Sequence, residues 1–138
     1  MFLQFILHII GYDIWFYLSH LLLHTRLLWW AHKIHHEKVK PRFSDTYHGH
    51  RLEGPFQSIG FLLPFLLGFT GIRAAVWAVL AVNVRGMMRH DDRMVWLIGN
   101  HHLTHHELGT VNFGDYYVDR IFGTVAPPER RVRGILYV

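Results

Sequence analysis

The stretch Trp30-Ala31-His32-Lys33-Ile34-His35-His36 constrains this chain more than any other. On a helix, positions i, i+3 and i+4 lie on one face. The spacing therefore predicts that His32, His35 and His36 point toward a common centre. The pattern returns at His102-Leu103-Thr104-His105-His106, and His20 and His24 stand four apart upstream. These clusters hold more imidazoles than one four-coordinate ion takes, so a site for two metals is expected. A pH sensor or a basic patch has no use for two copies of one spacing.

Composition narrows the ligand chemistry. The 138 residues include no cysteine, which excludes disulfides, thiolate ligation and cysteine catalysis. The metal ligands must be nitrogen or oxygen, and imidazole suits iron, copper, zinc or nickel. Net charge is +4, but the basic residues form no stripe interleaved with exposed aromatics, so no nucleic acid is expected as a partner. Arg26, Lys33, Lys38, Lys40 and Arg42 cluster just after the first apolar stretch, as on the cytoplasmic flank of a membrane helix.

That stretch, Phe2 to His24, has about the ~20 residues that cross a bilayer. It lacks the basic start and small-residue cleavage site of a signal peptide. Asp13, Tyr17, His20 and His24 fall on one of its faces, and an ionisable residue inside a membrane helix marks a functional face. Leu27-Leu28-Trp29-Trp30 reads as an interfacial anchor. The first HxxHH is expected on a short helix that ends before Pro41. Gly49, Gly54 and Pro55 mark a turn carrying His48, His50 and Glu53. His48 and His50 are expected beside the ligands or at substrate access. Phe56 to Phe69 and Ile72 to Met88 are two further apolar runs, separated around Gly68-Phe69-Thr70-Gly71. They are too short for two full spans and read as a short or tilted helical hairpin ending at His90. Asn83 sits two turns before His90, or packs the hairpin by hydrogen bonding. Asn100 is expected to cap the helix of the second HxxHH. His101 points about 100° away from His102 and is left outside the ligand set. Ligating histidines give their second N–H to a carboxylate or carbonyl. Asp13, Asp45, Glu53, Asp91, Glu107, Asp115 and Asp119 lie close enough in sequence, and Asp115 and Asp119 share a helical face near the second box. The last ten residues read as a basic, weakly ordered strand or tail.

The order His20-x3-His24, His32-x2-His35-His36, His90, His102-x2-His105-His106 resembles the fatty acid hydroxylase / sterol desaturase superfamily of membrane histidine-box di-iron enzymes. Asp13 with Tyr17, His50-Arg51-Leu52-Glu53, Asn83 before His90, Asn112-Phe113-Gly114 and Asp119-Arg120-Ile121-Phe122-Gly123-Thr124 carry the likeness further, from about Asp13 to Thr124. Departures from the family pattern are Leu21, Val118, and Gly86 and Met94 around His90. The resemblance implies an all-α membrane helical bundle with a cytosolic histidine-rich di-metal cap. It implies a single domain over 1–138, short of one or two membrane helices that members carry before the Asp13 helix. It implies nine ligands, His20, His24, His32, His35, His36, His90, His102, His105 and His106, around two iron ions, or zinc as isolated. Asp13, Asn83, Asp115, Asp119, His48, His50 and Glu53 are expected around them. The implied activity is O2-dependent hydroxylation or desaturation of a fatty acyl, sterol or carotenoid C–H bond. Electrons are expected from cytochrome b5 or a ferredoxin. The implied location is the endoplasmic reticulum in a eukaryote or the inner membrane in a bacterium, with the metals facing the cytosol.

Without the family, the residues still favour an oxygenase. A hydrocarbon substrate needs an apolar groove with a reactive metal at its end; Phe56, Phe61, Phe65, Phe69 and Trp77 either line it or, taken one by one, pack the bundle or face lipid. A transport protein would string its ligands along a pore, and a di-haem protein would show a Soret band. A zinc hydrolase would carry a glutamate inside its motif, as in HExxH. The alternative kept is a non-catalytic membrane metal-binding protein, or an inactive minimal fragment.

Overall fold

A computed structural model of the chain describes residues 1–69 and 71–136. Thr70, within the expected hairpin break, and Tyr137 and Val138, at the end of the expected tail, lie outside the described residues. The described residues form helices and connections, with no strand among them. The frame is helix α1, Phe2–Leu23, whose length and mean hydropathy of 1.4 suffice to cross a membrane. A short α2, Trp29–His32, and a 3-10 turn, His35–Glu37, follow it. A second 3-10 segment, Phe43–Tyr47, leads to the descending leg of the hairpin. That leg is broken into α3, Glu53–Ser58, a 3-10 turn, Ile59–Leu62, and α4, Leu63–Leu66. The rising leg is one helix, α5, Ile72–Arg89. Short α6, Val95–Ile98, then α7, His101–Leu108, and α8, Tyr116–Phe122, form the cap.

The descending leg lies directly against α1. A side chain on Gly60 would meet Tyr12 Cα at 2.7 Å and Trp15 Cβ at 2.8 Å, so glycine is what allows the approach. Trp15 Nε1 donates to Phe56 O at 2.7 Å, and His8 Nδ1 to Phe61 O at 3.0 Å. These two bonds tie the backbone of the broken leg to side chains of α1. Helix α5 closes the bundle, supplying Ala78 and Val82, which pack with Phe61, Phe5, Ile9 and Tyr12. Outward, Ile10, Ile14, Leu18 and Leu22 of α1 and Val76, Leu80 and Val84 of α5 stay exposed. The polar groups of the bundle turn inward, the reverse of a water-soluble helix pair.

Two expectations change here. The first HxxHH does not ride one helix: α2 stops at His32 and His35 opens a separate 3-10 turn. Asn100 occupies the start of α7, but its side chain makes no capping bond. It holds the chain end instead, accepting from Val132 N at 2.8 Å and donating to Arg130 O at 2.9 Å. Ile135 N and Leu136 N bond Trp96 O and Leu97 O, so the described part of the tail is docked on α6.

Candidate metal centre

Nine imidazoles converge where α1, α2, α5 and α7 meet. They sort into two groups, each with all ligand atoms within 4.8 Å of one another. One group is His20, His24, His32, His36 and His105; the other is His35, His90, His102 and His106. Each HxxHH therefore divides. The i and i+4 histidines, His32 with His36 and His102 with His106, stay together. The middle histidine crosses to the other group, His35 to the second and His105 to the first. On a helix i+3 and i+4 lie on opposite sides of i, about 100° apart. The motif is thus a fork reaching two centres rather than one, and the break after His32 widens it.

Backbone carbonyls orient the rings. His20 Nδ1 meets Phe113 O at 2.5 Å, His35 Nδ1 His48 O at 2.9 Å, His90 Nδ1 Gly86 O at 2.7 Å and His105 Nδ1 Val111 O at 2.7 Å. A carbonyl only accepts, so each Nδ1 carries the proton and each Nε2 a lone pair. Yet His35 Nε2 and His90 Nε2 face each other at 3.2 Å. No hydrogen lies between them, and lone pairs so placed repel unless a cation sits in their reach. Nε2 pairs His20–His32, His24–His105, His36–His105 and His90–His102 stand at 2.9, 3.1, 3.1 and 3.1 Å. Nitrogens ~2.1 Å from one ion at right angles lie about 3.0 Å apart, so these spacings suit the edges of a coordination shell. Neither ring nitrogen of buried His106 has a hydrogen-bond partner, a cost of ~1–3 kcal/mol per atom, and a bound ion would remove it at the nitrogen it takes. The nine residues fit two cations of imidazole-loving type.

Burial keeps the rings ready to ligate. It lowers His24 and His36 to about 3 and His32 to about 4, with neighbouring imidazoles adding to the effect at His24 and His36. His32 Nδ1 lies 2.9 Å from Glu53 Oε1, and burial pushes Glu53 up to about 7. A cation on His32 would draw that carboxyl toward its charged, accepting form.

The surrounding residues divide by role. Asp119 accepts from His101 Nε2 at 2.9 Å, not from a box histidine. Asp115 and Asp13 are buried and hold Arg85, with Asp115 also paired to Arg89 and Asp13 accepting from Tyr117 at 2.9 Å. Asn83 reaches no histidine, because Tyr47 takes its Oδ1 at 2.6 Å while its Nδ2 bonds Val79 O at 2.8 Å. His48 contributes its backbone carbonyl, and its ring pairs with Glu37 at 3.1 Å. The His50 ring packs on Trp30 and accepts from Leu52 N at 3.3 Å. Arg85 and Arg89 escaped the reading of the sequence. Their signal was two arginines four apart within an otherwise apolar run, a costly arrangement without buried carboxylates.

A cavity of about 280 Å³ reaches His35, His90 and His102 of the second group and His20 and His32 of the first. Tyr12, Phe16, Phe61, Val82 and Gly86 wall it, and Tyr47, His50, Arg51, Gln57 and Ser58 ring its polar side. Of the aromatics expected to line it, Phe61 does. Phe56 packs on Trp15, Phe65 on His8, and Trp77 is exposed.

Comparison with known sequences agrees with this geometry. The fatty acid hydroxylase family model matches residues 5–124, spanning all nine histidines. The chain belongs to the fatty acid hydroxylase family. It is 31% identical over 140 residues to the Delta(7)-sterol 5(6)-desaturase ERG3A of Gibberella zeae. The match covers 94% of this chain and 39% of that protein, so the chain spans well under half the length of its relative. No solved structure matches it significantly.

Proposed function

We propose that this family member oxidises an unactivated lipid C–H bond with O2, by hydroxylation or desaturation, at two iron ions held by its nine box histidines. The observation that carries the reading is the cavity that runs from a polar rim, between aromatic walls, onto the lone-pair nitrogens of both histidine groups. His20, His24, His32, His36 and His105 would hold one ion and His35, His90, His102 and His106 the other. Iron so bound supplies O2 activation and one-electron redox chemistry.

The chain's own residues do the rest. Tyr12, Phe16 and Phe61 give a hydrocarbon an apolar bed and exclude water from the metal end. Carbonyls of Phe113, His48, Gly86 and Val111, with Glu53, fix the tautomers. The exposed apolar faces of α1 and α5 seat the bundle in a membrane, from which a lipid chain reaches the cavity without crossing water. A fatty acyl, sterol or carotenoid chain suits that route, and the relative's name favours a sterol. Two reducing equivalents come from an outside donor such as cytochrome b5 or a ferredoxin. Exposed Lys33, Lys38, Lys40 and Arg42 offer an acidic donor a salt-sensitive dock. The second reading, a non-catalytic membrane metal-binding protein, shares the histidines but gives the cavity no task.

Two measurements separate the readings. Metal analysis of purified protein is expected to give two ions per chain, reduced by His35→Ala or His105→Ala and unchanged by His8→Ala. Membranes holding the protein, a donor and 18O2 are expected to yield lipid bearing 18O, or a new double bond. Full metal with no oxidised lipid would leave the second reading; full metal in both box variants would remove the site itself.

A further inference from the structure

The two histidine groups are aimed by different parts of the chain. Both backbone carbonyls that fix tautomers in the five-histidine group come from one loop: Val111 O takes His105 and Phe113 O takes His20. The carbonyls serving the four-histidine group, His48 O and Gly86 O, lie elsewhere. The Phe113 ring also stands edge-on to His20, His24 and His105, at 5.9, 5.2 and 5.3 Å between centroids. All three belong to the five-histidine group.

That loop is not held by regular structure. Asn112 sits at φ 58°, a left-handed conformation that asparagine tolerates better than most residues. Its side chain ties His101 O, at 2.8 Å, to Ala126 N, at 2.7 Å. The fully buried carboxylate of Asp119 then gathers four donors: Phe113 N at 2.9 Å, Gly114 N at 2.8 Å, Thr124 Oγ1 at 2.6 Å and His101 Nε2 at 2.9 Å. A carboxylate has about four lone-pair sites, so Asp119 is saturated. Phe113 is gripped at both ends of its backbone, its N–H by Asp119 and its carbonyl by His20.

We infer that Asp119 is a positioning residue for one metal site of the two, acting through the Val111–Gly114 loop on the five-histidine group. The inference rests on the reading that the histidines bind two metals. Losing an outer partner of a ligand lowers metal affinity about 10–100-fold. Here the loss falls on one ion. Asn in place of Asp119 keeps the shape but removes the charge and turns an amide N–H₂ against donors that need an acceptor.

The test is metal titration of the purified full chain, apo protein against ferrous ion, with Mössbauer spectra of 57Fe-loaded protein to distinguish the two environments. Wild type is expected to bind two ions. Asp119→Asn is expected to weaken one site, by no more than the about 10–100-fold that losing a ligand's direct partner costs, and to alter one of the two iron signals, the other unchanged. Thr124→Val, which removes a single donor, is expected to shift the same signal less. Asp115→Asn, equally buried but tied to Arg85 and Arg89, is expected to leave the two affinities in their wild-type ratio. A wild type that binds no iron would remove the underlying reading. Two sites of wild-type affinity in Asp119→Asn, or equal weakening of both, would overturn the inference alone. If Asp119→Asn does not fold, the comparison of Thr124→Val with Asp115→Asn decides it.

Discussion

At the scale of single residues, the centre is built from imidazoles that refuse protons. An imidazole ordinarily titrates near 6.5, while burial holds His24 and His36 at about 3 and His32 at about 4. Between those values and 6.5 the unfolded chain takes up protons that the folded chain does not. Stability of the metal-free protein therefore falls as pH drops from about 6.5 toward 3, and levels off below. Glu53 works the other way. Raised to about 7, it binds a proton in the folded state that the unfolded chain releases, a contribution present in acid and lost as pH rises through 7. His35, His90, His102, His105 and His106 are lowered in the same direction, so imidazoles far outnumber the one opposing carboxyl, and the thermal midpoint of chelator-treated protein in detergent should be lower at pH 5 than at pH 7. Iron should widen the gap, because acid protonates the same Nε2 atoms the metal needs. A midpoint that rises on acidification would mean that these rings are not held neutral by burial.

At the scale of elements, what the sequence revealed depended on the range of each interaction. The histidine spacing is local, so the gathering of the boxes was legible. Their division into two groups was not, because it depends on the chain breaking after His32 and on His20, His24 and His90 arriving from other helices. Arg85 meets Asp13 across 72 positions, and no local pattern announces such a partner. Asn83 misled for the same reason: Tyr47, from a distant turn, claims it. The crossing of α1 and the hairpin's descending leg likewise hid in one glycine. Because a Cβ at Gly60 would meet backbone at 2.7 Å, Gly60→Ala must push the elements apart. Overpacking of this kind costs about 1–3 kcal/mol, and it also shifts Phe61, which walls the cavity. Gly11→Ala faces contacts of 3.1 and 3.2 Å and should cost less. Thermal unfolding of both variants in the same detergent checks the order, which would reverse if the elements do not meet at Gly60.

At the scale of the molecule, the arrangement of ends sets the orientation proposed for the membrane. Helix α1 runs 22 residues, about 33 Å, close to a bilayer's ~30 Å core. Its start lies by the hairpin tip, where Phe2 and Phe5 face Ala74 and Trp77. Its other end delivers His20 and His24 to the nine-histidine centre, and α5 returns to that same end with His90. Every metal-facing element is thus gathered at one pole and the apolar tip, with exposed Leu66 and Leu67, at the other. Basic Lys33, Lys38 and Lys40 belong to the histidine pole, and the orientation proposed, by the charge bias of membrane proteins, has this pole facing the cytosol. The chain has no cysteine of its own, so single cysteines report without background. Cysteines in place of exposed Lys38 and Arg120 should react with an impermeant maleimide only when the cytosolic face is open to it. One in place of Leu67 should react from the opposite face or stay shielded by lipid. Labelling of Lys38→Cys and Arg120→Cys from opposite sides would break the single metal pole. Labelling of all three from one side would mean that the hairpin turns back within the membrane, leaving the shared pole intact but removing the full crossing.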